Sequence, residues 1–199
     1  MGSKENSLRK KWQDYSGYYA TKAEDSVYDI FMSFFKDTEY TIIKQPSLFK
    51  SIYVDVKLSP EEQSEIYTPL QKIKKHGIVP DCAITNNKTG KTIFVEIKRQ
   101  DGWVEGKLRK AGRGNAHERL CKYFTPGLTK LLRTEGKIAE NQYPFWIIFQ
   151  GDITRDPCRV REIRYWFDGN DTNLFFWRNV SDAAKLIQHF IDKIVPLLE

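Results

Sequence analysis

The chain has few of the residues that build disulfide frameworks or zinc sites. Its 199 residues include three cysteines and three histidines, and these are scattered, with no C-x-x-C motif and no Cys/His cluster. These absences argue against a zinc site and against a disulfide-stabilised secreted domain. Reduced thiols in a cytoplasm fit this pattern best.

Long apolar runs, internal repeats and low-complexity segments are also missing. No stretch approaches the roughly 20 apolar residues that cross a bilayer, and no signal peptide is visible, so we expect no membrane partner. The length is that of one ordinary domain and no linker interrupts it. We therefore expect a single catalytic and recognition domain over residues 1–199.

The charge balance favours an acidic partner. Lysine and arginine total 32 against 26 acidic residues, a net charge of +6 with a sequence pI near 9.1. Contacts to phosphates dominate the affinity of proteins for nucleic acids, so a basic surplus fits a nucleic-acid partner. A soluble basic protein without such a partner would have the same balance.

The stretch from Asp81 to Lys98 predicts a β-hairpin. A first strand over residues 81–85 is followed by turn residues at 86–90 and by a second strand, residues 91–98, rich in β-branched and aromatic side chains. Alternation along that second strand places Phe94, Glu96 and Lys98 on one face and sends Ile93, Val95 and Ile97 to the core. The hairpin then returns Asp81 to the neighbourhood of Glu96.

Asp81, Glu96 and Lys98 form a candidate catalytic set for phosphodiester hydrolysis. The carboxylates of Asp81 and Glu96 are hard ligands suited to Mg²⁺, which can activate a water and stabilise charge on a phosphate. The lysine can orient that water or offset the phosphate charge. An E-x-K pattern alone is common and is typically the solvated face of an ordinary strand. Pro80-Asp81 one hairpin upstream strengthens the catalytic interpretation, but from these residues both interpretations stay open.

The other patterned segments predict helices around a mixed sheet. Pro144 to Phe149 is a continuous apolar run typical of a central strand that is buried on both faces. Helical spacing predicts a first helix through Val27 and Phe35, with Glu24 on its polar face and a possible neighbour of the metal. Cap signals predict three more helices: after Ser59, with Ile66, Leu70 and Ile73; after Asp156, with Val160, Ile163 and Phe167; and after Ser181, with Leu186 to Val195. The fold class is therefore α/β, a mixed β-sheet flanked by α-helices.

A second segment, Gly114 to Arg119, predicts a helix start that can recognise bases. Asn115 can cap backbone N–H groups, and Glu118 three residues later resembles a capping box. From these residues alone, the simpler interpretation of Asn115 as a helix cap is the favoured one.

Together, Pro80-Asp81, Glu96-x-Lys98 and Gly114 to Arg119 resemble the restriction endonucleases of the EcoRI type, within the PD-(D/E)xK nuclease superfamily. Segments 124–128 and 151–157 are also similar to members of that group. The resemblance covers most of the chain and is looser at both ends. It implies the restriction-endonuclease-like fold.

In that type, the helix start enters the major groove and reads an inner AATT. The resemblance therefore assigns base reading to Asn115, Ala116 and Arg119, and contact with the outer G·C pair to Arg113. His117 stands where EcoRI has an apolar residue, and its role stays open. Basic residues flanking the two segments are expected to contact phosphates: Arg99, Lys107, Arg109 and Lys110.

The resemblance implies a bacterial type II restriction endonuclease that uses Mg²⁺. It would bind palindromic double-stranded DNA as a homodimer and cut CAATTG after its first base, leaving AATT 5′ overhangs. A DNA methyltransferase protecting the same site would be its functional counterpart. Two alternatives stay open: a structure-selective or repair nuclease of the same superfamily, which cuts without a fixed sequence, and a DNA-binding module without catalysis.

Overall fold

A computed structural model describes residues 22–50, 56–68, 76–108, 116–168 and 170–199, without the side chains of residues 49 and 50. Four of the predicted functional residues lie outside these ranges, and a fifth lies at the start of one. Arg109, Lys110, Arg113 and Asn115 are outside the described residues, as are Leu70 and Ile73, whereas Ala116 begins a described range.

A five-stranded mixed sheet forms the centre of the fold. Its strands are β1 Tyr40–Lys44, β4 Cys82–Asn86, β5 Thr92–Arg99, β6 Phe145–Gln150 and β7 Leu174–Trp177. They lie side by side in the order β1-β4-β5-β6-β7. The first three pair antiparallel, and β5, β6 and β7 run parallel. A separate antiparallel pair joins β2 Leu48–Lys50 to β3 His76–Ile78.

The predicted hairpin is present. Strands β4 and β5 pair with Cys82 opposite Val95 and Ala83 opposite Phe94. The turn between them uses Gly90 at a φ of 70°, a backbone conformation that glycine adopts without steric cost. This register sets the residue before Cys82, which is Asp81, beside the level of Glu96.

Helices cover both faces of this sheet. The chain is helical over residues 22–34 (α1), α2 Pro60–Glu65, α3 Pro126–Gly136, α4 Pro157–Trp166 and α5 Ala183–His189. A wider π-turn over Phe190–Ile194 continues α5 into α6 Val195–Leu198. Two short 3₁₀ helices occupy Glu118–Phe124 and Asp152–Thr154.

Alternate residues of the strands bury into two separate cores. Ile93, Val95 and Ile97 pack with α1 and the C-terminal helices, together with Trp146 and Phe190. The opposite face carries Phe94, Phe145, Ile147 and Phe149, which pack against the 3₁₀ helix, α3 and α4. The predicted inward face of β5 is confirmed, but its other face is a second core at Phe94 and not an open polar surface. The sheet is therefore covered on both sides, as α/β folds require.

Several helix boundaries differ from the predictions. Ser59 does cap α2, with a reciprocal bond from Ser59 N–H to Glu62, but the helix ends at Glu65 and Ile66 is exposed. The predicted Ser181 cap is wrong: Asp182 caps α5, because its carboxylate accepts the Lys185 N–H. Asp156 caps α4 as predicted, and it accepts from the N–H groups of Cys158 and Arg159.

The predicted helix start at Asn115 is also different in the part that the structure describes. A turn at residues 116–117 precedes the 3₁₀ helix, which begins at Glu118, so Glu118 cannot be the third residue of a capped α-helix. Residues three apart lie on the same side of a 3₁₀ helix. Leu120 and Tyr123 are three apart and are both fully buried, so the 3₁₀ winding places both on its inward side.

A helix that spans a membrane is both long and apolar. Among the residues described, none forms a helix with both the length and the apolar character that a bilayer crossing needs.

Candidate active site

The structure brings Asp81, Glu96 and Lys98 together at the point where β4 begins and β5 ends. The Lys98 Nζ lies 2.7 Å from Glu96 Oε1 and 3.9 Å from Asp81 Oδ2. The register of the hairpin produces this arrangement, since Asp81 comes directly before β4, and Glu96 and Lys98 lie on the same face of β5. Two carboxylates and one ammonium group therefore meet in one place.

Backbone and side-chain donors hold the two carboxylates. The Ile97 N–H donates to Asp81 Oδ2 at 2.6 Å, so the strand itself orients Asp81. The Tyr123 hydroxyl donates to Glu96 Oε2 at 2.5 Å, and Lys122 Nζ lies 3.8 Å from Glu96 Oε1. Glu96 is only 4% exposed, a burial that a carboxylate tolerates when its oxygens are paired and hydrogen-bonded.

Lys122 and Tyr123 were not predicted from the sequence. They come from the 3₁₀ helix that follows the predicted recognition segment, so this helix joins that segment to the carboxylates. A buried tyrosine in an apolar pattern is usually a core residue, and Tyr123 does pack against Phe145, with ring centroids 5.3 Å apart. Only its hydroxyl distinguishes it, and the pattern does not show where a hydroxyl points.

The carboxylates influence each other strongly. Burial raises the pKa of Asp81 to about 6; the nearby Glu96 carboxylate adds to this rise, and Lys98 opposes it. The hydroxyl of Tyr123 also has a raised pKa, first because of its burial and second because of the Glu96 charge, so it stays a hydrogen-bond donor. The rise in the pKa of Asp81 therefore comes first from burial and second from the like charge of Glu96, and Lys98 offsets only part of it.

This donor set fits a magnesium ion. Mg²⁺ is usually held by one or two carboxylates, together with waters and substrate phosphates, and not by a complete protein cage. Among the residues described, no group of three or more His, Cys, Asp or Glu side chains could hold a metal. A pair of carboxylates without nitrogen or sulfur ligands is what such an ion uses.

Glu24 lies within electrostatic reach of the site without joining it. Burial raises the pKa of this α1 carboxyl group, and the charges of Lys98 and Glu96 act on it in opposite directions. It is not part of a three-ligand cluster among the described residues. Glu24 therefore contributes to the negative potential around the pair.

The described part of the predicted recognition segment, from Ala116 onward, contacts the end of β5 and α4. The Ala116 N–H donates to Gln100 Oε1 at 3.2 Å, and Gln100 comes directly after β5. His117 is fully buried, with Nε2 3.2 Å from Glu162 Oε2 and its ring 5.0 Å from the Trp166 ring. Burial lowers the pKa of His117, and the Glu162 carboxylate opposes this shift. His117 thus packs inward. Among the base-reading candidates that the structure describes, Arg119 is exposed and carries a charge.

The predicted phosphate-contacting residues have different surroundings. Arg99, the last residue of β5, donates from Nε to Asp101 Oδ2 at 2.7 Å and lines a cavity of about 230 Å³. Lys107 is exposed, and its carbonyl oxygen accepts the Trp103 indole N–H. Arg109 and Lys110 lie outside the described residues.

Comparisons with known proteins identify the group. A family model described as Type II restriction enzyme MunI matches residues 1–199. The type II restriction enzyme MunI of Mycoplasma sp is 48% identical over 202 residues, covering all of this chain and all of that protein. A crystal structure of MunI restriction endonuclease in complex with cognate DNA superposes with a TM-score of 0.80 at 47% identity, covering 94% of this chain and 97% of that one.

The resemblance to restriction endonucleases of the EcoRI type is thus confirmed by the match to MunI, and so are the restriction-endonuclease fold and the predicted mixed sheet. Identity at this level over the whole length of both proteins shows common membership and not a shared motif alone. The chain belongs to the MunI family of type II restriction enzymes, which are site-specific endonucleases.

Proposed function

We propose that this enzyme hydrolyses phosphodiester bonds of palindromic double-stranded DNA with the help of Mg²⁺, at CAATTG, cutting after the first base to leave AATT 5′ overhangs. The observation that carries the catalytic part is the convergence of Asp81, Glu96 and Lys98 within hydrogen-bonding or ion-pair distance. Support for DNA as the partner comes from the MunI structure, which was determined with its cognate DNA.

In this proposal Asp81 and Glu96 hold the ion. Bound there, Mg²⁺ would supply Lewis-acid stabilisation of the charge on the phosphate and lower the pKa of a water. The Ile97 N–H and the Tyr123 hydroxyl keep one oxygen of each carboxylate engaged, so the other oxygens keep a defined direction. Such outer partners orient metal-binding groups in many enzymes.

Lys98 is the proposed proton-handling and charge-stabilising residue. Its ammonium group carries three donors and here lies between both carboxylates. From this position it can donate to a phosphate oxygen or orient the attacking water, where it offsets the charge that develops on the phosphate. Lys122, 3.8 Å from Glu96, adds a second positive charge to the same carboxylate.

Recognition is assigned to the segment that begins after the catalytic strand and ends in the 3₁₀ helix. We propose that Asn115, Ala116 and Arg119 read AATT and that Arg113 reads the outer G·C pair, since asparagine pairs with adenine edges and arginine with guanine edges in the major groove. Arg99, Lys107, Arg109 and Lys110 are proposed to contact backbone phosphates.

A palindromic site implies a protein with matching two-fold symmetry, so we propose a homodimer that cuts both strands. The whole chain, residues 1–199, serves as a single catalytic and recognition domain. A DNA methyltransferase of the same specificity is the expected counterpart in the cell.

Digestion of a fully sequenced plasmid tests the proposal. With Mg²⁺ we expect fragments that all begin with 5′-phosphorylated AATT and map to CAATTG, and with EDTA we expect none. End-sequencing of the fragments gives the site directly. Cuts without a common sequence would instead favour a structure-selective or repair nuclease, and binding without nicking would favour a non-catalytic DNA-binding module.

A further inference from the structure

Three parallel strands end around one cavity. Arg99 is the last residue of β5, Gly151 follows β6 and Arg178 follows β7, and all three line the same space of about 230 Å³. Ligands of open α/β sheets bind in the crevice outside the carboxyl ends of parallel strands. The cavity therefore occupies the position in this fold where a ligand is expected.

The lining of the cavity is strongly basic. Three arginines, Arg99, Arg155 and Arg178, line it together with one carboxylate, that of Asp152, and a second carboxylate, that of Asp101, pairs with Arg99 at 2.7 Å. The Oδ2 atom of Asp152 already accepts the Gly102 N–H at 2.9 Å. The lining thus has an excess of positive charge and a concave shape, which together select an anion.

Two of the arginines are positioned by contacts with uncharged groups, and the Arg178 guanidinium also lies 5.5 Å from the centroid of the Phe176 ring. Arg178 donates from Nε to the Thr154 carbonyl at 3.0 Å, and Arg155 donates from Nη2 to the Arg178 carbonyl at 2.9 Å. Carbonyl oxygens carry no net charge, so these bonds orient the guanidinium groups without neutralising them. A guanidinium group has five N–H donors in a planar fork, a shape that matches two oxygens of a phosphate.

The geometry at Gly151 keeps the strand ends close together. Its φ is 81°, and a Cβ atom there would lie 2.5 Å from Asp101 Oδ1 and 2.7 Å from the Gln100 carbonyl. Any other residue would therefore push the end of β6 away from the end of β5. The close approach holds Arg99 beside the segment that carries Arg155.

We propose that this cavity, lined by Arg99, Arg155 and Arg178, binds one backbone phosphate of the DNA, next to the phosphate that is cut. Lys98 and Arg99 are consecutive, so their Cα atoms are about 3.8 Å apart, and their side chains leave β5 on opposite faces at its end. Neighbouring strands are about 4.8 Å apart, which puts the end of β7 roughly 10 Å from the end of β5. DNA carries one charge per about 1.7 Å of helix axis, so a duplex held at Lys98 offers a second phosphate within that span.

This inference rests on the proposed DNA cleavage and extends it to two arginines that the sequence did not single out. A phosphate clamp contributes affinity and register without reading sequence. It would therefore act on cognate and non-cognate DNA alike, which separates it from the base-reading segment.

Equilibrium DNA binding as a function of KCl, measured by fluorescence anisotropy without divalent ions, is the test. The proteins are wild type, Arg155→Gln, Arg178→Gln and Arg178→Lys, and the duplexes contain either CAATTG or a scrambled site. Lys88→Gln is the matched charge control, because Lys88 is exposed in the turn before β5. That turn is separated from Arg99 by the length of β5, roughly 23 Å.

We expect each arginine-to-glutamine change to weaken binding of both duplexes by about 10- to 100-fold. The slope of log K against log [KCl] should become shallower by roughly 0.9, the value for one lost phosphate contact. Arg178→Lys should keep most of the wild-type slope, because it keeps the charge. If the guanidinium group had a purely structural role, lysine would not bring the slope back. Circular dichroism and thermal melting confirm that each variant is folded.

Several results would overturn the assignment. Wild-type salt slopes in both glutamine variants would show that the cavity does not contact DNA. A loss of affinity confined to the CAATTG duplex would show that these arginines read bases. Calorimetry with inorganic phosphate tests whether the cavity binds a free anion instead of a DNA phosphate. If the variants lose phosphate binding while their DNA salt slopes stay unchanged, the cavity is a small-anion site. Plasmid cleavage by the wild type tests the proposed function separately. A failure of the proposed function can therefore be distinguished from a failure of the cavity proposal.

Discussion

Gln100 and Ala116 are joined by a hydrogen bond that links the catalytic strand to the recognition segment. The Ala116 N–H donates to Gln100 Oε1 at 3.2 Å. Gln100 stands two residues after Lys98, and Ala116 stands one residue after Asn115, so a single side chain connects the two functional segments. A restriction enzyme has to couple recognition to cleavage, and under the proposed roles of these segments this bond would be a direct physical route for that coupling.

The first prediction is that Gln100→Ala lowers the cleavage rate and the discrimination between sites. Loss of one neutral hydrogen bond costs about 1 kcal/mol, which corresponds to roughly fivefold. Gln100→Glu keeps an acceptor oxygen and should retain more activity. Single-turnover cleavage of CAATTG and of sites with one altered base measures both quantities. Gln188→Ala, an exposed glutamine on α5, is the control and should leave both unchanged.

The second prediction concerns Tyr123, whose hydroxyl contacts Glu96. Tyr123→Phe keeps the buried ring and removes only the donor to Glu96 Oε2. We expect about a 10- to 100-fold loss in activity or in apparent magnesium affinity, as for other groups that orient metal-binding side chains. Cleavage rates over a range of Mg²⁺ concentrations measure this. Tyr143→Phe, in the same aromatic cluster, should behave as wild type. Equal losses in both variants would point to core packing instead.

The third prediction is that Asp81→Ala, Glu96→Ala and Lys98→Ala each abolish cleavage. Loss of charge stabilisation at the reacting phosphate should cost at least on the order of a hundredfold in rate. Glu96 is buried, contrary to the polar face expected from strand alternation, so Glu96→Gln is the necessary companion variant that keeps the volume. Near-normal cutting by any folded variant removes that residue from the catalytic set.

Binding titrations with and without Mg²⁺ measure a further effect of removing a carboxylate. Metal-free DNA binding should become stronger, because a negative charge facing the phosphate is gone.

The local parts of this site could be predicted from the sequence. Turn residues between two alternating strands determine the hairpin, and the hairpin determines that Asp81 meets Glu96. Both signals act within 18 consecutive residues, from 81 to 98, so no knowledge of the tertiary fold is needed.

The remaining parts depend on how distant segments pack. The contacts of Glu96 with Tyr123 and of Gln100 with Ala116 join residues 27 and 16 positions apart, and no periodicity encodes such distances. Burial of Glu96 follows from the 3₁₀ helix that covers it. The choice of Asp182 over Ser181 as helix cap has a similar origin, because both residues are good caps and the position of the Lys185 N–H decides between them.

The last prediction is that Arg113 sets the outer base pair. Arginine presents paired donors that match guanine O6 and N7, and no other base offers two acceptors in the major groove. Arg113 lies outside the described residues, three positions before Ala116, which Gln100 holds. Ala116 is thus held by the residue that follows β5, and if Arg113 reads the outer pair, loss of its base contact should also slow cleavage.

We expect Arg113→Ala to cut CAATTG poorly and to discriminate less among sites of the form NAATTN, with a loss of about 1–3 kcal/mol at the outer pair. Asn115→Ala and Arg119→Ala should instead lose the preference for the AATT core. Competition cleavage of oligonucleotides that vary only the outer pair measures the first effect. Arg161→Ala, an exposed arginine on α4 whose guanidinium contacts the Pro157 carbonyl, is the matched control. A wild-type outer preference in Arg113→Ala would assign that base to another residue, and the C-terminal half of the chain would be the place to look for it.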